Sequence, residues 1–210
     1  MDAKQAARTS AQSGRKDARR NHARLLATAR ELFLEQGADA SLDALARRAG
    51  VGIGTLYRHF PTRQNLLEAL LTESYDNLSS RARELTGSAS PEVALTTWLQ
   101  AFITEVTEVR GMAASVMATL RDERSEVFTS CTSMRAAGEV LFREAQRAGL
   151  IPPEVEFLDV LRLVGAIAMA AEQEPDVADR LLALALRGLM PGAETPVPAA
   201  GAEARGPGAG

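Results

Sequence analysis

The sequence predicts an all-α protein in two parts, a three-helix N-terminal domain and a body of about six further helices. Three observations carry this prediction. Ala and Leu dominate while aromatics make up 4% of the 210 residues, which favours helices over strands. Apolar residues recur at helical spacing in segments closed by Gly or Pro. Charge is also split: residues 1–63 hold 12 Lys and Arg against 6 Asp and Glu, a formal +6, and the remainder carries −9, giving −3 overall. A near-neutral total conceals a basic head on an acidic body.

Taken in order, residues 1–16 are polar and include Arg8, Arg15 and Lys16, so they read as a disordered basic arm. Residues 17–63 form the head. Its first helix spans about Asn21 to Gln36, with Leu25, Leu26, Ala29, Leu32 and Phe33 inward and Gly37 as its stop. Ser41 to Phe60, SLDALARRAGVGIGTLYRHF, then has the build of a helix-turn-helix. Ser41 is a good N-cap, and Asp43 complements the positive end of the helix dipole. Leu42, Leu45, Ala46 and Ala49 share one face, Gly50 ends the helix, and Val51 plugs the turn. The second short helix runs from about Ile53 to His59, with Leu56 and Phe60 inward.

That leaves Gly54, Thr55, Tyr57, Arg58 and His59 on or near an outer face that is small, polar and aromatic. A helix read by a DNA groove needs such a face. Small residues let the backbone approach, Arg bonds guanine edges in a bidentate way, and Tyr, Thr and His donate to phosphates. Arg63 lies in the first turn of the next helix, after the N-cap Thr62, where a cation opposes the dipole unless an anion is expected there. The glycines do not form a nucleotide loop: no strand precedes Gly50, Gly52 and Gly54, and no Gly-Lys-Ser/Thr follows. The alternative is an ordinary helical hairpin, which rarely joins a three-residue turn to a polar second helix.

The stretch ALARRAGVGIGTLYRHFPTRQNLLEAL resembles the DNA-binding domain of the TetR family of transcriptional regulators, over about Asn21 to Leu71. The resemblance implies an all-helical homodimer with three DNA-binding helices and a body that binds a ligand and dimerises. It implies a repressor released from DNA by a small molecule. It assigns phosphate contacts to Thr55, Tyr57, His59 and Arg63, and places Ile53, Gly54 and Arg58 nearest the bases. Gly52 and Gly54 depart from the larger residues many members carry, which puts more weight on Arg58 or on DNA shape. The basic arm either follows the DNA backbone or is a solvated tail. Residues 130–190 are similar to an actinobacterial subgroup of the family.

The body covers residues 64–190. Its helices are expected at about 63–85, 91–109, 112–120, 123–148 (with a candidate break near Thr132), 154–171 and 175–189, and residues 191–210 read as a disordered tail. Trp98, Phe102, Met112, Val116, Met117, Phe128, Cys131, Met134 and Leu141 suit either a plain core or an adaptable pocket for an uncharged, partly apolar ligand. The last two helices are apolar over most of their surface. Leu158, Leu161, Gly165, Ala168, Leu181, Leu182 and Ala185 form stripes that either close the chain's own core or pair with a second copy, and such helices need partners on several sides. In a dimer, two recognition helices about 34–36 Å apart read successive major grooves of a near-palindrome.

An enzyme is not expected. His22 and His59 have no neighbour at metal-ligand spacing, no nucleophile or dinucleotide motif occurs, and Glu172, Glu174, Asp176 and Asp179 read as a solvated helix junction. No cofactor or metal is expected. A helical binding protein that has lost DNA binding would show damage at Tyr57, His59 or Arg63, and all three are present. The lone Cys131 excludes an internal disulfide and lacks a neighbouring Lys or His to activate it as a redox sensor. Without an apolar signal core or a run of about 18 apolar residues, the expectation is a cytoplasmic protein with no membrane partner.

Overall fold

The structure, a computed structural model, describes residues 3–37, 39–88, 90–108, 125–171 and 174–190. Eight helices and no strand occur among them: α1 (Ala3–Gln36), α2 (Leu42–Arg48), α3 (Ile53–His59), α4 (Arg63–Leu85), α5 (Pro91–Glu108), α6 (Glu126–Arg147), α7 (Phe157–Ala170) and α8 (Pro175–Leu189). The all-α expectation and the helix-turn-helix boundaries agree with this order. Three boundaries differ. α1 continues back to Ala3, through residues expected to be a disordered arm. The long helix is unbroken at Thr132, whose hydroxyl donates back to the Phe128 carbonyl within the same helix. α7 starts at Phe157, because the turn after Pro152 and Pro153 is held by Gln146 Nε2, which donates to the carbonyls of Pro152 and Val155. The expected helix 112–120 and the tail 191–210 lie outside the described residues.

Two apolar clusters organise the chain. The head cluster gathers Leu25, Leu32 and Phe33 of α1, Leu45 and Ala46 of α2, Leu56 of α3, Phe60, and Leu66, Leu67, Leu70 and Leu71 of α4. The body cluster is built on Leu78, Leu95, Trp98, Leu99, Leu141, Phe142, Val160, Val164 and Leu182. α4 belongs to both, and Tyr75 at its middle packs against each cluster. Trp98 is the largest fully buried side chain, and its Nε1 donates to the Leu78 carbonyl at 2.9 Å, which satisfies the one polar group that burial would otherwise strand. Gly138 of α6 makes room for it. A Cβ there would lie 2.7 Å from Trp98 Cζ2 and 2.8 Å from Phe157 Cζ. No helix among the described residues is long and apolar enough to cross a membrane.

Candidate nucleic-acid interface

The α2–turn–α3 unit follows directly from its capping residues. Ser41 Oγ accepts from the Ala44 N–H, satisfying a donor the helix start leaves open. At the other end Gly50 adopts φ 64, a conformation costly for any residue with a Cβ, and its N–H reaches the Arg47 carbonyl. Val51 N–H then bonds the Ala46 carbonyl at 3.0 Å, which turns the chain into α3. Leu56 and Phe60 anchor α3 in the head core. α2 is braced against α1 by Arg48, whose guanidinium meets Glu35 at 2.8 Å and Glu31 at 3.3 Å. That hydrogen bond holds the Glu35 carboxyl below the usual carboxylate range.

Anchoring one face of α3 presents the other. Ile53, Gly54, Tyr57 and Arg58 are exposed, and Thr55 and His59 are half-buried. All six residues predicted on this helix are therefore brought together on one short element. Arg58 folds back along it: Nε donates to the Gly54 carbonyl at 3.2 Å and Nη2 to Thr55 Oγ1 at 2.9 Å. These are exposed contacts that a base edge or phosphate can replace at little cost. His59 packs beside His22 of α1, ring centroids 5.8 Å apart, and beside Phe60. Desolvation lowers its pKa, with the charges of His22 and Arg58 acting in the same direction. Arg63 carries more than the sequence suggested. Its Nη2 donates to the Ala40 carbonyl at 2.7 Å, tying the start of α4 to the α1–α2 connection. At the same helix start Thr62 Oγ1 accepts from the Asn65 N–H, as the N-cap reading expects.

The body residues singled out from sequence are placed differently from one another. Trp98, Phe102, Met134 and Leu141 are buried in the body core, and Cys131 is half-buried against it, its thiol pKa raised by burial. Phe128 lines an open groove of about 650 Å³ between α6 and the turn leading to α7, together with Arg135, Phe142 and Phe157. Met112, Val116 and Met117 lie outside the described residues. Of the residues expected to pair two copies, Leu161, Ala168 and Leu182 turn into the body's own core, while Leu158, Gly165, Leu181 and Ala185 are half-buried. The apolar residues that face outward are others: Leu163 at 48% exposure, Met169 at 71% and Leu184 at 56%. Apolarity over most of α7, broken only by the exposed Asp159 and Arg162, blurs which stripe meets the chain's own core. Sequence reading also passed over Arg30, whose acceptors lie 43, 44 and 75 residues away, beyond any local pattern.

Comparison with known proteins agrees with this arrangement. Residues 25–70 match the family model "Bacterial regulatory proteins, tetR family", and residues 90–191 match "Transcriptional regulator SbtR-like, C-terminal domain". Among solved structures, the TetR transcriptional regulator SCO0520 from Streptomyces coelicolor is 35% identical, over 82% of this chain and 99% of that one, with a TM-score of 0.65. A TetR regulatory protein from Mycobacterium vanbaalenii is 29% identical, over 84% and 98% of the two chains, with a TM-score of 0.56. An HTH-type transcriptional regulator of Staphylococcus aureus is 38% identical over 63 residues, 30% of this chain. The match spans about a third of that relative's length, 34%.

Proposed function

The chain belongs to the TetR family of DNA-binding transcriptional regulators, and from that premise we propose that it is a homodimeric repressor released from a near-palindromic operator by a small molecule. The observation that carries this reading is the outer face of α3, where Ile53, Gly54, Tyr57 and Arg58 stand exposed on a helix anchored by buried Leu56. Ile53, Gly54 and Arg58 take the base edges, with Thr55, Tyr57, His59 and Arg63 on phosphates. Residues 17–63 act as the DNA-binding unit and residues 64–190 as the ligand-binding and dimerising unit. The exposed Leu163, Met169 and Leu184 support a second copy on α7 and α8, since such side chains gain most from an apolar partner. Ligand in the body favours a spacing of the two heads that fits successive grooves poorly, and so lowers DNA affinity.

Selection of bound fragments from random DNA at near-physiological salt tests the operator reading. An enriched near-palindrome is the expected result, and a folded dimer that enriches no motif overturns it. On the recovered site, Tyr57→Ala weakens binding to every sequence, whereas Arg58→Ala mainly relaxes base preference, by about 1–3 kcal/mol of discrimination. Equal effects of both substitutions on every sequence would refute that division.

A further inference from the structure

Arg30 lies on α1 where the head meets the body. Its Nη1 donates to Ser74 Oγ at 3.2 Å and to Glu105 Oε2 at 3.1 Å, and its Nη2 donates to Glu73 Oε2 at 3.3 Å. One guanidinium therefore joins three helices: α1 of the head, α4 running through both parts, and α5 of the body. The side chains of Arg30 and Glu105 are each only 19% exposed. An ion cluster so placed is a poor source of stability, because taking its charges from water offsets much of their attraction. What a planar guanidinium supplies instead is fixed direction, since its N–H groups diverge toward acceptors at set angles. A second contact lies at the same junction. Val127, in the first turn of α6, is buried in the head cluster, and Tyr75 beside Ser74 packs against both clusters. Body helices α5 and α6 thus each place a residue against the head, one ionic and one apolar.

We propose that Arg30, Glu73 and Glu105 are positioning residues for DNA binding: they fix the angle of the head on its body, and through it the separation of the two recognition helices in the dimer. The proposal rests on the dimeric-operator reading above. A single head meets a single half-site at whatever angle it hangs. Only two heads joined through their bodies need that angle fixed, because the second contact gains its effective concentration from geometry. Loosening the cluster therefore acts on DNA that engages both heads and spares DNA that engages one.

The test uses the full-length chain and two duplexes, the site recovered by selection and the same duplex with one half-site scrambled. Affinities are measured by fluorescence anisotropy for wild type, Arg30→Met, Glu105→Gln and the double variant, with melting temperature and oligomeric state followed alongside. Each single variant is expected to bind the scrambled duplex within about twofold of wild type and the paired site about tenfold more weakly. The double variant should be no weaker than Arg30→Met, since both changes break the same contact. Arg30→Lys, which keeps the charge but loses the fork, should fall between. Equal losses on both duplexes would overturn the proposal, because Arg30 would then merely support the head's fold; so would no loss on either. A wild type that binds the two duplexes equally well would instead refute the dimeric operator, and the proposal with it.

Discussion

Gly54, in the first turn of α3 of the head, and Gly138, in the middle of α6 of the body, are both helical and neither has a positive φ. A helical glycine costs about 0.5–1 kcal/mol relative to alanine, so each needs a reason. The body supplies its own. A Cβ on Gly138 would strike Trp98 and Phe157, so the glycine is what lets the indole reach full burial. The head supplies none, for a Cβ on Gly54 would meet nothing within 4 Å, and the same holds for Gly52. Among the described residues no contact requires a glycine at Gly54, which is what a close approach of DNA to the backbone of α3, as proposed above, would require.

The outer surfaces extend the contrast. α3 shows the solvent a face with one cation, one phenol and bare backbone, suited to a wet, charged partner, whereas α7 and α8 show Leu163, Met169 and Leu184, suited to a dry one. The largest expected effect follows from breaking the dry face. Leu163→Glu should leave the helical content of the chain nearly unchanged, since the side chain is exposed on the single chain, yet convert dimer to monomer in analytical ultracentrifugation, with melting lowered only as far as dimerisation had raised it. Operator affinity should then fall by about a hundredfold or more, as the second half-site contact is lost. A variant that stays dimeric would move the interface elsewhere on the body.

The two glycines give the next pair of tests, with one substitution and opposite signs. Gly138→Ala forces buried, rigid rings to move and should destabilise the chain by about 1–3 kcal/mol in denaturant unfolding. Gly54→Ala should stabilise the head by about 0.5–1 kcal/mol, because it meets no obstacle and improves helix propensity. The same Gly54→Ala should weaken binding to the selected site while leaving random DNA at low salt little changed, because nonspecific binding needs no close approach to base edges. Stabilisation with undiminished site affinity would mean that Gly54 answers to no partner, and the comparison would lose its point.

The head was the more legible region, for a physical reason. Its structure is written in local signals, with N-caps at Ser41 and Thr62, a left-handed stop at Gly50, and Leu56 and Phe60 inward, and each acts within a turn of the residue that carries it. The body's helices could be placed by Gly and Pro, but their mutual packing could not. Whether Trp98 lines a pocket or fills a core depends on a glycine 40 residues on, and which side of α7 faces outward depends on α5 and α8. The Arg30 cluster is the extreme case, since Glu105 becomes its neighbour only once α1, α4 and α5 have packed. α1 is longer than the apolar pattern marks, since that pattern starts only near Leu25 while the helix reaches back to Ala3.

The smallest expected effect concerns protons at the head's edge. His59 of α3 faces His22 of α1 and lies beside Arg58, and its pKa is lowered below the ordinary value of about 6.5. With the folded pKa below the unfolded one, the contribution of His59 to stability is present above the unfolded value and is lost as pH falls through the folded value. The free head should therefore melt slightly earlier at about pH 5.5 than at about pH 7.5. DNA reverses the sign. A phosphate beside the ring favours the imidazolium, so binding takes up a proton and affinity should rise as pH falls, by no more than about threefold between about pH 7.5 and about pH 6. His59→Gln keeps a hydrogen-bond donor and should flatten that slope without abolishing binding. A slope unchanged by His59→Gln would place the proton on another group and remove His59 from the phosphate contacts.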